Sequence, residues 1–479
     1  MQIEEPSGMN ITVHPLFDFD GECFANKMWY RGRSRELSAF YRQLSDENAE
    51  KSFWGAKPEP GVSIRKIHTG LPALMTDTLT SVCTQDLYKI EVEGRQEEWD
   101  EIARENGIKT LISNATRDVL YLGDGAFKLS YDPEVSKSNP IIEFYPADRV
   151  EFVRRRDKII EIIFKTEKRL KNERYILKEH YKKQSITYTL ERFSDGSEAN
   201  IRDFDELDYL VPVKNNAEFL PAVPYIITES AEFKGRGKSI FADKRENFDM
   251  LDEIISQWML AVRKGQIKEY IPDVFLPRDP ETGVLLRSSE FADTFISIDS
   301  DMSEGANRKI ETTQGNIQHD ALLSSYCTVL DLCLQGVISP STLGIDVKKL
   351  DNAEAQREKE KTTLYMRDKV LDVLSPVIQE LVKAALMFKD NISGVAADIG
   401  EVTVTFGGYA NPAFEAQVET VGKASQSGVM STETAVEELY GDTKDDEWKK
   451  EEVRRIKEEK GIISADEPAV SDELQFIDV

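Results

Sequence analysis

The chain has 479 residues, room for roughly three folding units at about 150 residues per domain. A composition of 40% hydrophobic and 31% charged residues excludes a wholly disordered chain, a collagen and a disulfide-stapled miniature. The 61 Lys and Arg against 87 Asp and Glu leave a net charge of −26, the opposite sign to a tight, sequence-independent DNA clamp.

The longest apolar runs, such as Ala384 to Phe388, fall far short of the about 20 residues a membrane helix needs, so no membrane span is expected. The opening MQIEEPSGMN has neither a basic cap nor an apolar stretch, so no secretory signal is expected either. Cys23, Cys83, Cys327 and Cys333 form no CxxC pair, and His14, His68, His180 and His319 are scattered. The expectation is reduced thiols, no metal site and no cofactor.

In chain order, the first 60 residues read as an irregular arm with one helix at 34–44 and a Pro/Gly exit at 57–61. Leu71, Leu74, Met75, Leu79 and Val82 recur at helical spacing within 67–83, and further helices are expected at 97–105 and 111–121. Short alternating or β-branched runs follow at 126–131, 141–145, 149–154, 159–165, 175–181 and 186–193, separated by turn residues; they predict one antiparallel meander. From about 239 to 264 Phe248, Leu251, Ile254, Ile255, Trp258, Met259 and Val262 make an apolar helical stripe, with Asp249, Asp252, Glu253, Ser256 and Gln257 on a polar flank. A small β-insert (270–276 and 295–298) leads to a second long helix at 316–337. A Pro/Gly-punctuated loop with Lys348 and Lys349 then opens into the longest helical tract, 353–388, which Ser375-Pro376 should kink or divide. A strand at 401–406, charged helices at 412–425, 431–440 and 445–460, and a polar, acidic, disordered end at 462–479 complete the chain.

Catalytic signatures are sparse. GRGKS at 235–239 ends like a phosphate loop, but position 232 is Glu where the motif needs glycine, and no strand feeds it; it reads as a flexible turn before the long helix. There is no HExxH, no GxSxG and no zinc-spaced Cys/His cluster. Acidic pairs such as Asp252-Glu253 and Asp445-Asp446 read as solvated or lumen-facing helix surface. The basic stretch Arg154-Arg155-Arg156 with Lys158, continuing through Lys168, Arg169, Lys171 and Arg174, reads either as exposed hairpin faces or as a contact for an acidic partner or nucleic acid.

The order of parts resembles the portal proteins of tailed bacteriophages, especially the branch typical of phages of Gram-positive bacteria. The residues that carry the resemblance are GDGAFKLSYDP (123–133) with IIEFYPADRVEFV (141–153), the helix–β-insert–helix of 235–337, ISPSTLGID (338–346), the tract that follows from LDNAEAQREKEK (350–361) to Val382, and GVMSTETAVEELYGD (428–442). They cover about residues 65–460.

The resemblance implies an α+β, ring-forming subunit. Its parts would be an N-terminal arm (1–29), a wing (30–240), a first stem helix (241–266), a clip (267–312), a second stem helix (313–337), a tunnel loop (338–352), a long wing helix with a returning strand (353–408), a crown (409–460) and a disordered acidic tail (461–479). It implies a dodecameric channel at one capsid vertex that passes double-stranded DNA during packaging and ejection. The partners implied are the major capsid protein and scaffold, the terminase large subunit, a head–tail adaptor, and DNA held weakly and non-specifically. The place implied is the virion, and the host cytoplasm during assembly, with no catalytic step. Ser341, Thr342, Lys348 and Lys349 would then touch DNA in the tunnel loop; Asp249, Asp252, Glu253 and Ser256 would face the lumen. Phe248, Leu251, Ile255, Trp258 and Val262 would pack between subunits, and Asp273, Phe275, Arg278 and Arg287 would form the clip's docking surface. Two alternatives stand beside this reading: a nucleic-acid-processing ATPase or nuclease subunit, motivated by GRGKS and the basic stretch, and another ring-forming virion component such as an adaptor or baseplate protein.

Overall fold

Asp18 opens the first helix: its carboxylate accepts the backbone N–H of Gly21 at 2.6 Å, and Gly32, at φ 63°, closes it by donating to the carbonyl of Met28. The structure, a computed structural model, describes residues 2–4, 10–12, 18–44, 51–57, 64–214, 219–272, 278–283, 295–298, 311–315, 317–345, 353–394, 399–407, 414–440 and 446–459. The chain divides into two compact units, Met1–Gly407 and Gly408–Val479.

In the first unit a short hairpin of β1 (Gln2–Glu4) and β2 (Asn10–Thr12) precedes α1 (Phe19–Arg31), α2 (Ser34–Gln43) and α3 (Leu71–Thr84). Helix α1 corrects the expectation of an irregular arm. It is held by Cys23, Met28 and Trp29, which are buried with Leu37 and Phe40 of α2 and Met75 and Leu79 of α3 in one apolar core. Strand β3 (Leu87–Val92) leads to α4 (Gln96–Glu105) and α5 (Ile108–Leu122).

The predicted meander is two sheets. Strands β4 (Asp124–Ser130) and β5 (Ile141–Pro146) pair with each other, and β4 also takes β12 (Ala222–Ile226), with Val223 opposite Phe127. A single turn at Ala147–Arg149 then redirects the chain into β6 (Val150–Arg155), β7 (Lys158–Leu170), β8 (Glu173–Lys182) and β9 (Ser185–Arg192). These four strands form the true meander, and β10 (Glu198–Ala199) and β11 (Val213–Lys214) pair along the outer edge of β9. Strand β8 alternates buried and half-buried residues along nearly its whole length, the period-2 pattern of a sheet with two unlike faces.

The two sheets meet at GRGKS. Asp124, fully buried at the start of β4, accepts two hydrogen bonds from the Arg236 guanidinium at 2.8 and 2.9 Å and one from the Gly237 N–H at 2.7 Å. Arg236 also donates to the carbonyl of Ala147 and lies 3.8 Å over the Phe19 ring. A Cβ on Gly237 would stand 2.1 Å from the carbonyl oxygen of Gly123, so only glycine fits. The motif is a packed clamp, which corrects the flexible turn expected there.

Helices α6 (Arg245–Lys264) and α7 (His319–Leu334) run antiparallel. Lys244 and Asn247 donate to the carbonyl of Leu332 near one end, while Trp258 packs edge-on against Tyr326 and His319 towards the other. Between them β13 (Lys268–Pro272) pairs in parallel with β14 (Phe295–Ile298) and antiparallel with β15 (Glu311–Thr313). The chain enters and leaves this module through a constriction, where a Cβ on Gly265 would meet Ile317 at 2.5 Å.

Helix α8 (Ala353–Ser393) is continuous through Pro376, correcting the expected division. Pro376 removes one backbone bond, whereas Leu374, Val377, Ile378, Leu381 and Val382 around it are buried against α4, α5 and the β4 sheet, and that burial outweighs the loss. Strand β16 (Val402–Phe406) then returns to pair with β3, Val402 opposite Val92. In the second unit α9 (Phe414–Gln426), α10 (Thr432–Tyr440) and α11 (Asp446–Glu459) are tied by Tyr440 against Trp448 and by ion pairs of Lys449 with Glu437 and Lys457 with Glu433.

Candidate functional site

The paired helices and the loop after them hold most of the expected site residues. On α6, Phe248 and Leu251 are buried at 1% exposure in the subunit's own core, Phe248 against Trp29 and Phe241. They are therefore not free to pack on a neighbour, which corrects the expectation for these two. Ile255 and Trp258 are half-buried, and Val262 is exposed. Met250 and Met259 share that exposure on α6, as do Leu323 and Leu332 on α7, so an apolar surface remains, built from a partly different set of side chains.

The polar flank is the larger correction. Asp252 is 0% exposed and accepts four hydrogen bonds or close contacts: from Trp54 Nε1 at 3.1 Å, His68 Nδ1 at 2.6 Å, the Thr69 N–H at 2.8 Å and the Thr69 hydroxyl at 2.9 Å. Ser256, one turn on and 1% exposed, donates to the Asp252 carbonyl and accepts from the Ile67 N–H. Asp249 accepts the backbone N–H groups of Phe53 and Trp54. Burial pushes the Asp249 carboxyl up to about 6 in spite of these two bonds. Lys66 completes the junction by donating to the carbonyls of Phe53, Trp54 and Ala56, and burial pulls its ammonium down to about 8. Asp249, Asp252 and Ser256 thus hold Phe53, Trp54 and Ile67 to Thr69 of their own subunit, and Asp252 and Ser256 are closed off inside it, which corrects the expectation that these two face a lumen. Glu253 is half-buried and accepts from the Gln257 side chain. A polar helical flank predicts donors opposite it and leaves open whether they are water or protein. Sequence reasoning therefore missed Trp54, Lys66, His68 and Thr69, in a segment with no periodic signal.

The loop after α7 packs on α8 through residues 339–342. Ser339 is 1% exposed, its N–H donating to the Thr363 hydroxyl of α8, which also bonds Thr342 Oγ1 at 3.0 Å. Thr342, Leu343, Gly344 and Ile345 donate back to Ser339, Pro340, Ser341 and Pro340, winding the segment into consecutive turns. Ser341 is exposed, with its hydroxyl 2.6 Å from that of Ser339. Lys348 and Lys349 lie outside the described residues, as do Asp273, Phe275 and Arg287; Arg278 is described and exposed.

The four cysteines are free thiols, three of them buried. Among the described residues no group of three or more His, Cys, Asp or Glu stands close enough to hold a metal ion, and no helix is long and apolar enough to cross a membrane.

The sequence that builds this antiparallel helix pair, small β-module and docked loop matches a known family. The family described as "Phage portal protein, SPP1 Gp6-like" matches residues 21–464. The chain belongs to the phage portal protein family. No curated protein matches it. Ninety-two chains of solved structures do. Among them is one from "Neck of native GTA particle computed with C12 symmetry", at 10% identity and a TM-score of 0.42, over 77% of this chain and 89% of that one. As a portal protein it is a structural component of the virion's head–tail connector, in a family that works as a homo-oligomeric ring and is not catalytic.

Proposed function

We propose that twelve copies of this portal protein form the channel through which double-stranded DNA enters and leaves a phage capsid. The module of β13–β15 is the docking point for the terminase motor and later for the head–tail adaptor, and the wing meets capsid protein and scaffold. The observation that carries the reading is the family match across 21–464, within which the helix pair, β-module and docked loop follow one another in that order. Val262 and Met259, neighbours on one face of α6, offer an apolar surface for a neighbouring stem.

Charge supports a conduit over a grip. Twelve chains at −26 carry about −312, and a channel sharing this sign repels duplex phosphates, so DNA slides through. Lys348 and Lys349, beyond the docked turns of 338–345, are the cations that touch it transiently. Replacing both by Glu should leave assembly intact and lower the DNA retained per particle, read as the ratio of nucleic acid to protein in purified heads. An unchanged ratio removes the loop from the mechanism.

A further inference from the structure

We infer that the end of the large sheet formed by the β6–β7 and β8–β9 turns is a binding surface for the phosphate backbone of duplex DNA, separate from the channel. Strand β7 pairs antiparallel with both β6 and β8, so the turn joining Arg155 to Lys158 and the turn joining Lys182 to Ser185 lie at the same end of the sheet. Arg155, Arg156, Lys158 and Lys183 are all exposed there, and none of their side chains has a hydrogen-bond or ion-pair partner among the described residues. The neighbouring cations are partnered: Arg154 with Glu229, Lys182 with Glu161, and Lys234 with Asp157 at 4.0 Å. Four unneutralised positive charges therefore crowd one edge of a chain whose net charge is −26.

The turn is rigid. Arg156 and Asp157 sit in the left-handed region at φ 50° and 60°, the form that suits a two-residue hairpin but costs a residue with a Cβ. Lys171-Asn172 makes the same turn at the other end of β7, so the geometry by itself does not demand arginine.

The chemistry selects the ligand. A protein partner would need an apolar centre to bury, and among the described residues this end of the sheet exposes two large apolar side chains that form no such centre, Ile160 on β7 and Val213 on the separate edge strand β11. What it offers is charge over a width of about 14 Å across four strands at roughly 4.8 Å spacing. A duplex presents a negative charge about every 1.7 Å along its axis, so several phosphates meet these cations at once. Two arginines add bidentate phosphate geometry.

The test is fluorescence anisotropy of a labelled 30-base-pair duplex against the full chain from about 50 mM salt upward. Two triple variants with matched charge change are compared with it: Arg155→Glu/Arg156→Glu/Lys158→Glu, and Lys109→Glu/Lys369→Glu/Lys383→Glu. The tip variant should lose about tenfold or more in affinity at 50 mM, with the slope of log K against log salt shallower by about 3, while the control keeps both. Equal losses in the two variants, or no loss in either, overturn the inference. Poly-glutamate competing as well as duplex DNA, charge for charge, overturns it in favour of an acidic protein partner. Lys348 and Lys349 are intact in both variants, so this result reads separately from the channel.

Discussion

Asp252→Ala should destabilise the subunit by about 3–5 kcal/mol, among the largest losses a single change on α6 can cause. The substitution strips the indole N–H of Trp54, His68, and the N–H and hydroxyl of Thr69 of their shared acceptor in a site closed to solvent. Asp252→Asn is the informative companion. Its oxygen still serves Thr69 and its amide can donate to His68 Nδ1, leaving the Trp54 N–H as the group most nearly orphaned, so the loss should fall to about 1–2 kcal/mol. Denaturant midpoints followed by far-ultraviolet circular dichroism read both. Equal and small shifts for the two variants would mean that Trp54, His68 and Thr69 are held by something other than this carboxylate.

Arg236→Ala is the second large effect, again about 3–5 kcal/mol, because it leaves the fully buried Asp124 carboxylate with the Gly237 N–H as its one remaining donor. It also uncovers the Phe19 ring and leaves the Ala147 carbonyl, at the turn where the chain passes from one sheet to the other, with the Val150 N–H alone. Arg236→Lys keeps the charge but has neither the two-pronged geometry nor the flat face, and should recover less than half of the loss. Calorimetry of the three proteins decides it. An alanine variant that melts with the parent would show that the sheets are joined without this pair.

Both predictions fall where the sequence was hardest to read, and for one reason. Helical and strand periodicities are local, so α3 to α7 and β4 to β9 are visible in the order of apolar residues. Pairing is not local: β3 meets β16 and β4 meets β12 across long stretches of chain, and nothing in either strand's own pattern names its partner. Hence two sheets read as one meander. Helix α1 hides because FDGECFANKMWYR mixes Gly, Asn and aromatic residues, which blurs its face; its cap at Asp18 was the available signal.

The site divides along the same line. The apolar stripe of α6 was legible, but whether it meets its own subunit or another depends on α1 and on Phe53 and Trp54: Phe248 and Leu251 turn inward, while Val262, beyond their reach, remains outside. Asp252 and Ser256 look like solvated residues in any pattern analysis because a buried acceptor and a wet one have the same letter. GRGKS was legible as a turn, but not the packing of Gly123, Asp124 and Arg236 that fixes it.

The central claim is that this chain closes into a ring around a passage. The most direct test is the absolute mass of the purified protein by light scattering, with images of the same peak. The account predicts twelve copies of the 54.4 kDa chain, about 650 kDa, seen end-on as a ring with a central hole. A species near 54.4 kDa that persists at every concentration, or an assembly of the predicted mass with no opening, would contradict it.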